Sequence, residues 1–362
     1  MSDVVADVER VIADAYKVAA LYQFKALENP TSFCGFITDE CKRRGVVGAL
    51  ILAREGINGT IAGRPDLLDQ VITILKEQFN DMVLKFSYSQ EEPFNRLRIR
   101  VKNEIVTMGM PLVDDTRDLS DISFRGEYVS GKEWNELISD PSVKVIDTRN
   151  DYEVSIGSFT NAIDPNTKTF RDFPDYVQDQ LPLHEYKHQK IAMFCTGGVR
   201  CEKASAYMKS LGYESIYHLK GGILQYLEDI QKDENLFEGS CFVFDRRTSV
   251  EHGLAPGKHK FCFVCRHPLS WEEIEQDPCF KEGVQCKYCV DVVSDKKREN
   301  AANRQRQIQI AQDNHEKHLG RQYSLGNGMS KYNLACDKYE YEKAKGATSE
   351  ASSSSRFVVP ST

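Results

Sequence analysis

The apolar positions change rhythm several times along the chain. Over 1–17, Val4, Val5, Val8, Val11 and Ile12 recur near helical spacing, which predicts an amphipathic helix. From Ala19 the pattern predicts a strand over 19–27, a helix over 30–45, a strand over 46–53, an apolar stretch over 54–63, a helix over 64–79 and a strand over 94–109. The helix over 64–79 is the clearest, with Leu67, Leu68, Val71, Ile72 and Leu75 on one face. Asn58-Gly59 between apolar runs predicts a hairpin turn. In the last strand Leu97, Ile99 and Val101 alternate with Arg96, Arg98 and Arg100. The order β-α-β-β-α-β is the split βαβ, or ferredoxin-like, arrangement, placed at 18–110.

A polar connector is expected over 111–130, and a second domain over 131–236. There, apolar runs at 143–150, 191–198 and 215–219 alternate with helical segments, which implies a parallel α/β sheet. Beyond Leu236 the text shifts to Cys, His, Pro and aromatic residues with little period, so 237–294 reads as a small Cys-rich module. A polar helical extension over 295–345 and a flexible Ser-rich tail over 346–362 complete the chain. The expected fold class is a multidomain protein of mixed α/β and α+β type.

Composition narrows the function. At 362 residues two to three domains are expected. A net charge of -7 argues against a wholly basic nucleic-acid binder but leaves room for a local basic patch. No stretch reaches the roughly 18 apolar residues of a membrane helix, and the acidic N-terminus lacks the basic and apolar regions of a secretory signal. The expected location is the cytoplasm, where thiols stay reduced. Eleven cysteines then need a use, and catalysis and metal binding are the candidates.

Ile191–Cys201 carries the strongest chemical signal. An apolar strand delivers Cys195 to a turn of Thr196, Gly197, Gly198 and Val199, and Arg200 and Cys201 open a helix. Inward-pointing backbone N–H groups of such a loop, with the positive end of the helix, favour the thiolate. Cys201 is either a resolving thiol for Cys195 or a small packing residue.

Cys195 through Arg200 resembles the active-site loop of rhodanese domains. Upstream, Asp147, Arg149, Glu153 and Gly157 are similar to the rhodanese Asp-x-Arg segment, in which the Asp and Arg order the active-site region. The resemblance implies support roles for Asp147 and Arg149. Cys-x4-Arg has the loop length of sulfurtransferases that form a persulfide; phosphatase-type relatives have one residue more. A wider resemblance rests on three runs in order: Arg54–Gly63, Cys195–Lys203, and Val243-Phe244-Asp245 with Val250–Leu254. Together, over roughly Ala19 to Asp291, they look like the bacterial tRNA uridine(34) hydroxylase family, TrhO. That resemblance implies a tRNA-modifying enzyme that uses O2 as co-substrate to hydroxylate C5 of the wobble uridine, with Cys195 as catalytic thiol and Arg200 stabilising negative charge. It leaves the reductant unnamed and implies no obligate protein partner. The alternatives are a sulfurtransferase passing persulfide sulfur from Cys195, and a non-catalytic RNA-binding scaffold.

For the tRNA anticodon loop, Arg54 and Asn58 beside the expected hairpin and the alternating Arg96, Arg98 and Arg100 are candidate contacts; the bland reading is a solvated outer face. Cys262-x2-Cys265 and Cys286-x2-Cys289, twenty residues apart, have structural-zinc spacing. Cys241 and Cys279 compete as ligands, and two disulfides are a lesser alternative. His252, His259 and His267 read as packing or surface residues. Lys287, Lys296, Lys297, Arg298, Arg304 and Arg306 read as a solvated basic helix rather than an RNA footprint.

Overall fold

The computed structural model describes residues 15–110, 119 and 121–314. The first domain is built from β1 (Tyr16–Phe24), α1 (Pro30–Arg43), β2 (Val47–Ala53), β3 (Gly56–Gly63), α2 (Pro65–Gln78), β4 (Val83–Ser89) and β5 (Leu97–Val101). Asn29 starts α1 by accepting the N–H of Ser32 at 3.0 Å, with Pro30 preset for the first turn. Both helices lie on one face of the sheet, where Ile37, Leu50, Leu52, Ile57, Ile61, Leu68, Val71 and Leu75 form the core. The strand order is β4-β1-β3-β2-β5, with only β5 parallel to its neighbour.

Three expectations change here. The fourth strand of the split βαβ pattern is β4; the arginine-bearing strand is a fifth, added at the opposite edge. β4 does alternate, Leu84, Phe86 and Tyr88 against Lys85, Ser87 and Ser89, but the equally alternating Leu97–Val101 run competes with it for the place of the fourth strand. Asn58-Gly59 is not the turn: β2 and β3 join at Arg54-Glu55, and Gly59 pairs with Leu50 in mid-strand. Glycine is required at 59 by close approach, since a Cβ there would lie 2.1 Å from the Ala49 carbonyl oxygen. Ala15 is a bend, and Tyr16 and Lys17 begin β1 rather than ending a helix; the rest of the expected helix, 1–14, lies outside the described residues.

The second domain contains β6 (Glu127–Val129), α3 (Gly131–Ser139), β7 (Lys144–Asp147), α4 (Asp151–Val154), β8 (Gly157–Phe159), α5 (Phe173–Gln180), α6 (Leu183–Tyr186), β9 (Ile191–Phe194), α7 (Val199–Leu211), β10 (Ile216–Leu219) and α8 (Gly222–Asp229). Four parallel strands stack in the order β6-β10-β9-β7. β6 falls where a connector is expected; a three-residue edge strand has no detectable period. A second boundary also moves. β11 (Phe237–Gly239) pairs with β8, and β12 (Cys241–Phe242) pairs with β13 (Ser249–Val250). Phe237, Cys241, Val243 and Val250 pack with Trp134, Phe159, Phe194 and Ile223. Residues 237–250 therefore complete this core rather than open the Cys-rich module.

That module holds β14 (His259–Phe261), β15 (Pro268–Ser270) and α9 (Trp271–Gln276), followed by α10 (Asp295–Asp313). The extension beyond 314 and the Ser-rich tail lie outside the described residues. Among the described residues no helix is long and apolar enough to cross a membrane.

The two larger domains meet through polar contacts. Lys203 Nζ on α7 reaches Glu55 at 2.9 Å, Glu104 at 2.6 Å and the Val106 carbonyl at 3.1 Å. Arg247 donates to Ser87 Oγ at 2.8 Å. The sheet face turned away from α1 and α2 thus looks toward the second domain.

Candidate active site

β9 is buried along its whole length and ends by presenting Cys195. The chain then turns through Thr196 and Gly197 to Gly198, whose φ of 99° sets the start of α7. The Gly198 N–H donates to Cys195 Sγ at 3.1 Å. α8 braces the loop from behind: the N–H groups of Ile223 and Leu224 donate to the carbonyls of Cys195 and Thr196, each at 3.0 Å. This approach needs Gly222, where a Cβ would stand 2.6 Å from the Cys195 carbonyl oxygen and 2.7 Å from the Gly198 nitrogen. A Cβ at Gly197 would meet nothing within 4 Å, so the loop is open to space there.

Arg200 and Glu153 lie beneath the loop as a bidentate pair, Nη1 to Oε2 at 2.7 Å and Nη2 to Oε1 at 2.8 Å. Thr196 Oγ1 donates to the same carboxylate at 3.2 Å. Burial works against the charge on Glu153, and Arg200, Arg149 and the Asn150 N–H outweigh it, holding the carboxyl below its usual range. For Cys195, burial opposes the thiolate. The Cys201 thiol, the Arg200 cation and the N–H groups of Cys201 and Gly198 overcome that penalty and bring its pKa down to about 6. Cys201 moves the other way, pushed well up by burial and by the Cys195 charge. The surroundings of the loop therefore favour the thiolate at Cys195 and the neutral thiol at Cys201.

The remaining predicted loop residues fall into place around this centre. Val199 begins α7. Asp147 ends β7 and binds Arg149 through Nε at 2.9 Å and Nη2 at 2.6 Å, and Arg149 also donates to the Gly157 carbonyl at 2.6 Å. Arg149 is fully buried, its guanidinium over the rings of Phe194 and Phe237. This pair fastens the segment bearing Glu153 and does not touch the reactive sulfur.

Two contributors escape sequence reasoning. Tyr22 on β1 donates to Glu202 Oε1 at 2.7 Å and borders Gly198, so the first domain forms part of the loop's wall. Arg125 holds the other oxygen of Glu202 at 2.8 Å. Tyr22 and Glu202 are 180 residues apart, and nothing local signals the contact. Glu153 was visible in the Asp-x-Arg segment, but its partner was not.

The candidate RNA contacts divide. Arg54 is exposed at the β2–β3 turn, and Arg96 and Arg100 are exposed at the sheet edge. Arg98 is half-buried and engaged in an interaction. Asn58 gives its Nδ2 to the Ile105 carbonyl at 2.9 Å, which accounts for it as a structural clip. Strand register places Arg100, Ile51, Asn58 and Tyr22 in one row across four strands. At about 4.8 Å per strand, the row runs about 14 Å from Tyr22 at the cysteine loop to Arg100.

In the Cys-rich module, the Sγ atoms of Cys262, Cys265, Cys286 and Cys289 all lie within 4.8 Å of one another. Neighbouring pairs are 3.9 Å (Cys262–Cys289), 3.6 Å (Cys265–Cys286) and 3.9 Å (Cys286–Cys289) apart. Tetrahedral Zn–S bonds of about 2.3 Å need sulfurs about 3.8 Å apart, so the four fit that ion. Cys241 and Cys279 stand outside the cluster. His252 caps the Ile230 carbonyl at 2.7 Å, His259 meets Ser249 at 3.1 Å, and His267 stacks on Tyr288. In the basic stretch, Arg298 and Arg304 bind backbone carbonyls of this module.

Residues 16–105 match the UPF0176 acylphosphatase like domain, and residues 130–229 match the rhodanese-like domain. A protein of Agrobacterium fabrum described as tRNA uridine(34) hydroxylase is 48% identical over 86% of this chain and 96% of its own. A second of that description, from Sinorhizobium fredii, is 49% identical over 84% of this chain and 95% of its own. Among solved structures, a rhodanese-related protein of Thermoplasma volcanium is 23% identical, covering 28% of this chain and 92% of its own, with a TM-score of 0.23. With both domains matched and its relatives covered nearly end to end, the chain belongs to the tRNA uridine(34) hydroxylase family.

Proposed function

We propose that this protein hydroxylates C5 of uridine 34 in tRNA, with Cys195 as the catalytic thiol. The observation that carries the reading is a thiolate-favouring cysteine in a pre-formed loop, within a chain whose relatives of near-equal length are named for that activity. Molecular oxygen is the co-substrate. Addition of the Cys195 sulfur to C6 makes C5 electron-rich enough to react with oxygen, and Arg200 with the loop N–H groups stabilises the negative charge that moves between sulfur and base. Thr196, Gly197, Gly198 and Val199 shape the loop, and Asp147 and Arg149 support it.

The substrate base comes from the anticodon loop, where it is unpaired and can be turned out. The row from Tyr22 to Arg100 supports a path for that strand, with Arg54, Arg96, Arg98 and Arg100 as phosphate contacts. Cys262, Cys265, Cys286 and Cys289 are the residues that would hold zinc. Bound there, the ion would supply folding energy to a module with a small apolar core. A cytoplasmic location follows from a tRNA substrate and reduced thiols.

The test is deletion of the gene followed by mass spectrometry of digested tRNA. Loss of 5-hydroxyuridine and its derivatives from position 34, rescued by wild type and not by Cys195→Ser, is the expected result. Unchanged hydroxylation in a strain without a redundant pathway would overturn the reading and turn attention to persulfide transfer from Cys195.

A further inference from the structure

Hydroxylation with O2 places one oxygen atom on the base and releases the other as water, so each turnover needs two electrons from a donor. The loop contains a second thiol in the right place. Cys201, the third residue of α7, packs with Cys195 in the same buried cluster, and its thiol and N–H are among the groups that favour the Cys195 thiolate. Thr148 Oγ1 lies 3.5 Å from Cys201 Sγ. Both cysteines are fully buried. The two cysteines pack in one buried cluster of side chains, which contains no other cysteine.

Resting on the hydroxylase reading, we propose that Cys195 and Cys201 form a dithiol couple that supplies the two electrons of each hydroxylation and ends the turnover as a disulfide. Cys195 sulfur adds to C6, and C5 bonds to O2. Loss of the C5 proton and expulsion of the Cys195 thiolate restore the ring double bond, leaving a 5-hydroperoxyuridine. The thiolate then attacks the distal peroxide oxygen. The O–O bond breaks, an S–O bond forms, and the oxygen left on C5 takes the proton that Cys195 gave up. Cys195 is now a sulfenic acid, and the thiol beside it condenses with it. The S–S bond forms, the S–O bond breaks, and hydroxide leaves as water with the Cys201 proton. Uridine, O2 and two thiols become 5-hydroxyuridine, water and a disulfide, which an external dithiol reduces by exchange. The charge pattern supports this sequence, because a thiolate attacks first and a neutral thiol supplies the proton for the leaving water.

The experiment uses the full-length protein, reduced, freed of thiol and mixed without oxygen with an equivalent of tRNA unmodified at uridine 34. Oxygen is then admitted, and product and cysteine states are read by mass spectrometry. The expected result is one Cys195–Cys201 disulfide for each 5-hydroxyuridine formed, with both cysteines still alkylatable when tRNA is omitted. Cys201→Ser should yield at most one product per enzyme and leave a sulfenic acid at Cys195 that a 1,3-dione traps; Cys201→Ala serves equally if serine disturbs folding. Wild-type product formed with both thiols still free would overturn the couple and leave the hydroxylase reading standing. So would repeated turnover by either variant without added thiol. Absence of any 5-hydroxyuridine would remove the hydroxylase reading, and the couple with it.

Discussion

Replacing Arg200 with Met removes a cation from beneath the reactive sulfur while keeping most of its volume. Two effects follow, of different size. Arg200 and Glu153 are joined by hydrogen bonds of 2.7 and 2.8 Å, and the Glu153 side chain is 0% exposed. Removing one member of a buried pair leaves the other uncompensated, which costs about 3–5 kcal/mol, so urea unfolding should reach its midpoint at clearly lower denaturant. Cys195 loses an interaction that lowers its pKa, so that pKa rises from about 6. A rise of one unit would cut the thiolate fraction at pH 6 from about one half to about one tenth. Alkylation by iodoacetamide at pH 6 should then slow about fivefold, with the difference vanishing near pH 9. The double variant Glu153→Leu/Arg200→Met should cost less stability than Arg200→Met alone, because no charge is stranded, yet keep the slower alkylation. A folded Arg200→Met protein whose alkylation midpoint stays near pH 6 would refute the electrostatic role assigned to Arg200.

His218 is fully buried and its pKa falls to about 4 from 6.5, mainly through burial, so the unfolded chain binds the proton first. Stability should decline as pH drops from 6.5 to 4, by about 3 kcal/mol at the limit, and His218→Gln should flatten that slope in denaturant titrations. Tyr22→Phe leaves Glu202, 2% exposed, without one of its donors. A loss of about 1–3 kcal/mol in unfolding free energy is expected; an unchanged midpoint would exclude Tyr22 as a clamp. Arg98→Glu/Arg100→Glu should weaken tRNA binding and flatten its salt dependence by at least one phosphate equivalent, and filter binding at several salt concentrations would show it. Titrating the thiols with a mercurial should release one equivalent of zinc, and Cys262→Ser/Cys286→Ser should lower the metal content, read by atomic emission.

The reactive loop was legible because its signal is local: one apolar strand, one cysteine, two glycines and a helix start fall within Ile191–Cys201. The cluster of Cys262, Cys265, Cys286 and Cys289 was legible for the same reason, as two short knuckles. Less visible was whatever depends on distant pairing. Glu153 and Arg200 are 47 residues apart, and Tyr22 and Glu202 are 180. β6 escaped because a three-residue edge strand carries no period, and β4 because the alternating Leu97–Val101 run competes with it for the place of the fourth strand. The seam at 237–250 was misplaced because strands of two and three residues obey no period, and only their burial against Trp134 and Phe159 reveals their allegiance. Asn58-Gly59 misled for a physical reason. Glycine serves tight turns and close backbone approaches alike, and here Gly59 serves the second.

On the proposed function, placement of a base at Cys195 depends on both domains at once. α7 opens at the cysteine loop, and its first turns are gripped from outside: Tyr22 and Arg125 hold Glu202, and Glu55 and Glu104 hold Lys203. Tyr22 stands in the same cross-strand row as Arg100. A sheet is stiff along such a row, because every neighbour is hydrogen-bonded. The distance from Arg100 to Tyr22, which borders the cysteine loop at Gly198, is therefore set by strand spacing rather than by a flexible loop. On the proposed reading, a strand held at Arg100 must cross about 14 Å of sheet to reach the Tyr22 end of the row beside the cysteine loop. Selection of one position in the anticodon loop then needs no base-specific contact at the arginines. It follows from where the backbone is held and how far the reactive sulfur lies from that point.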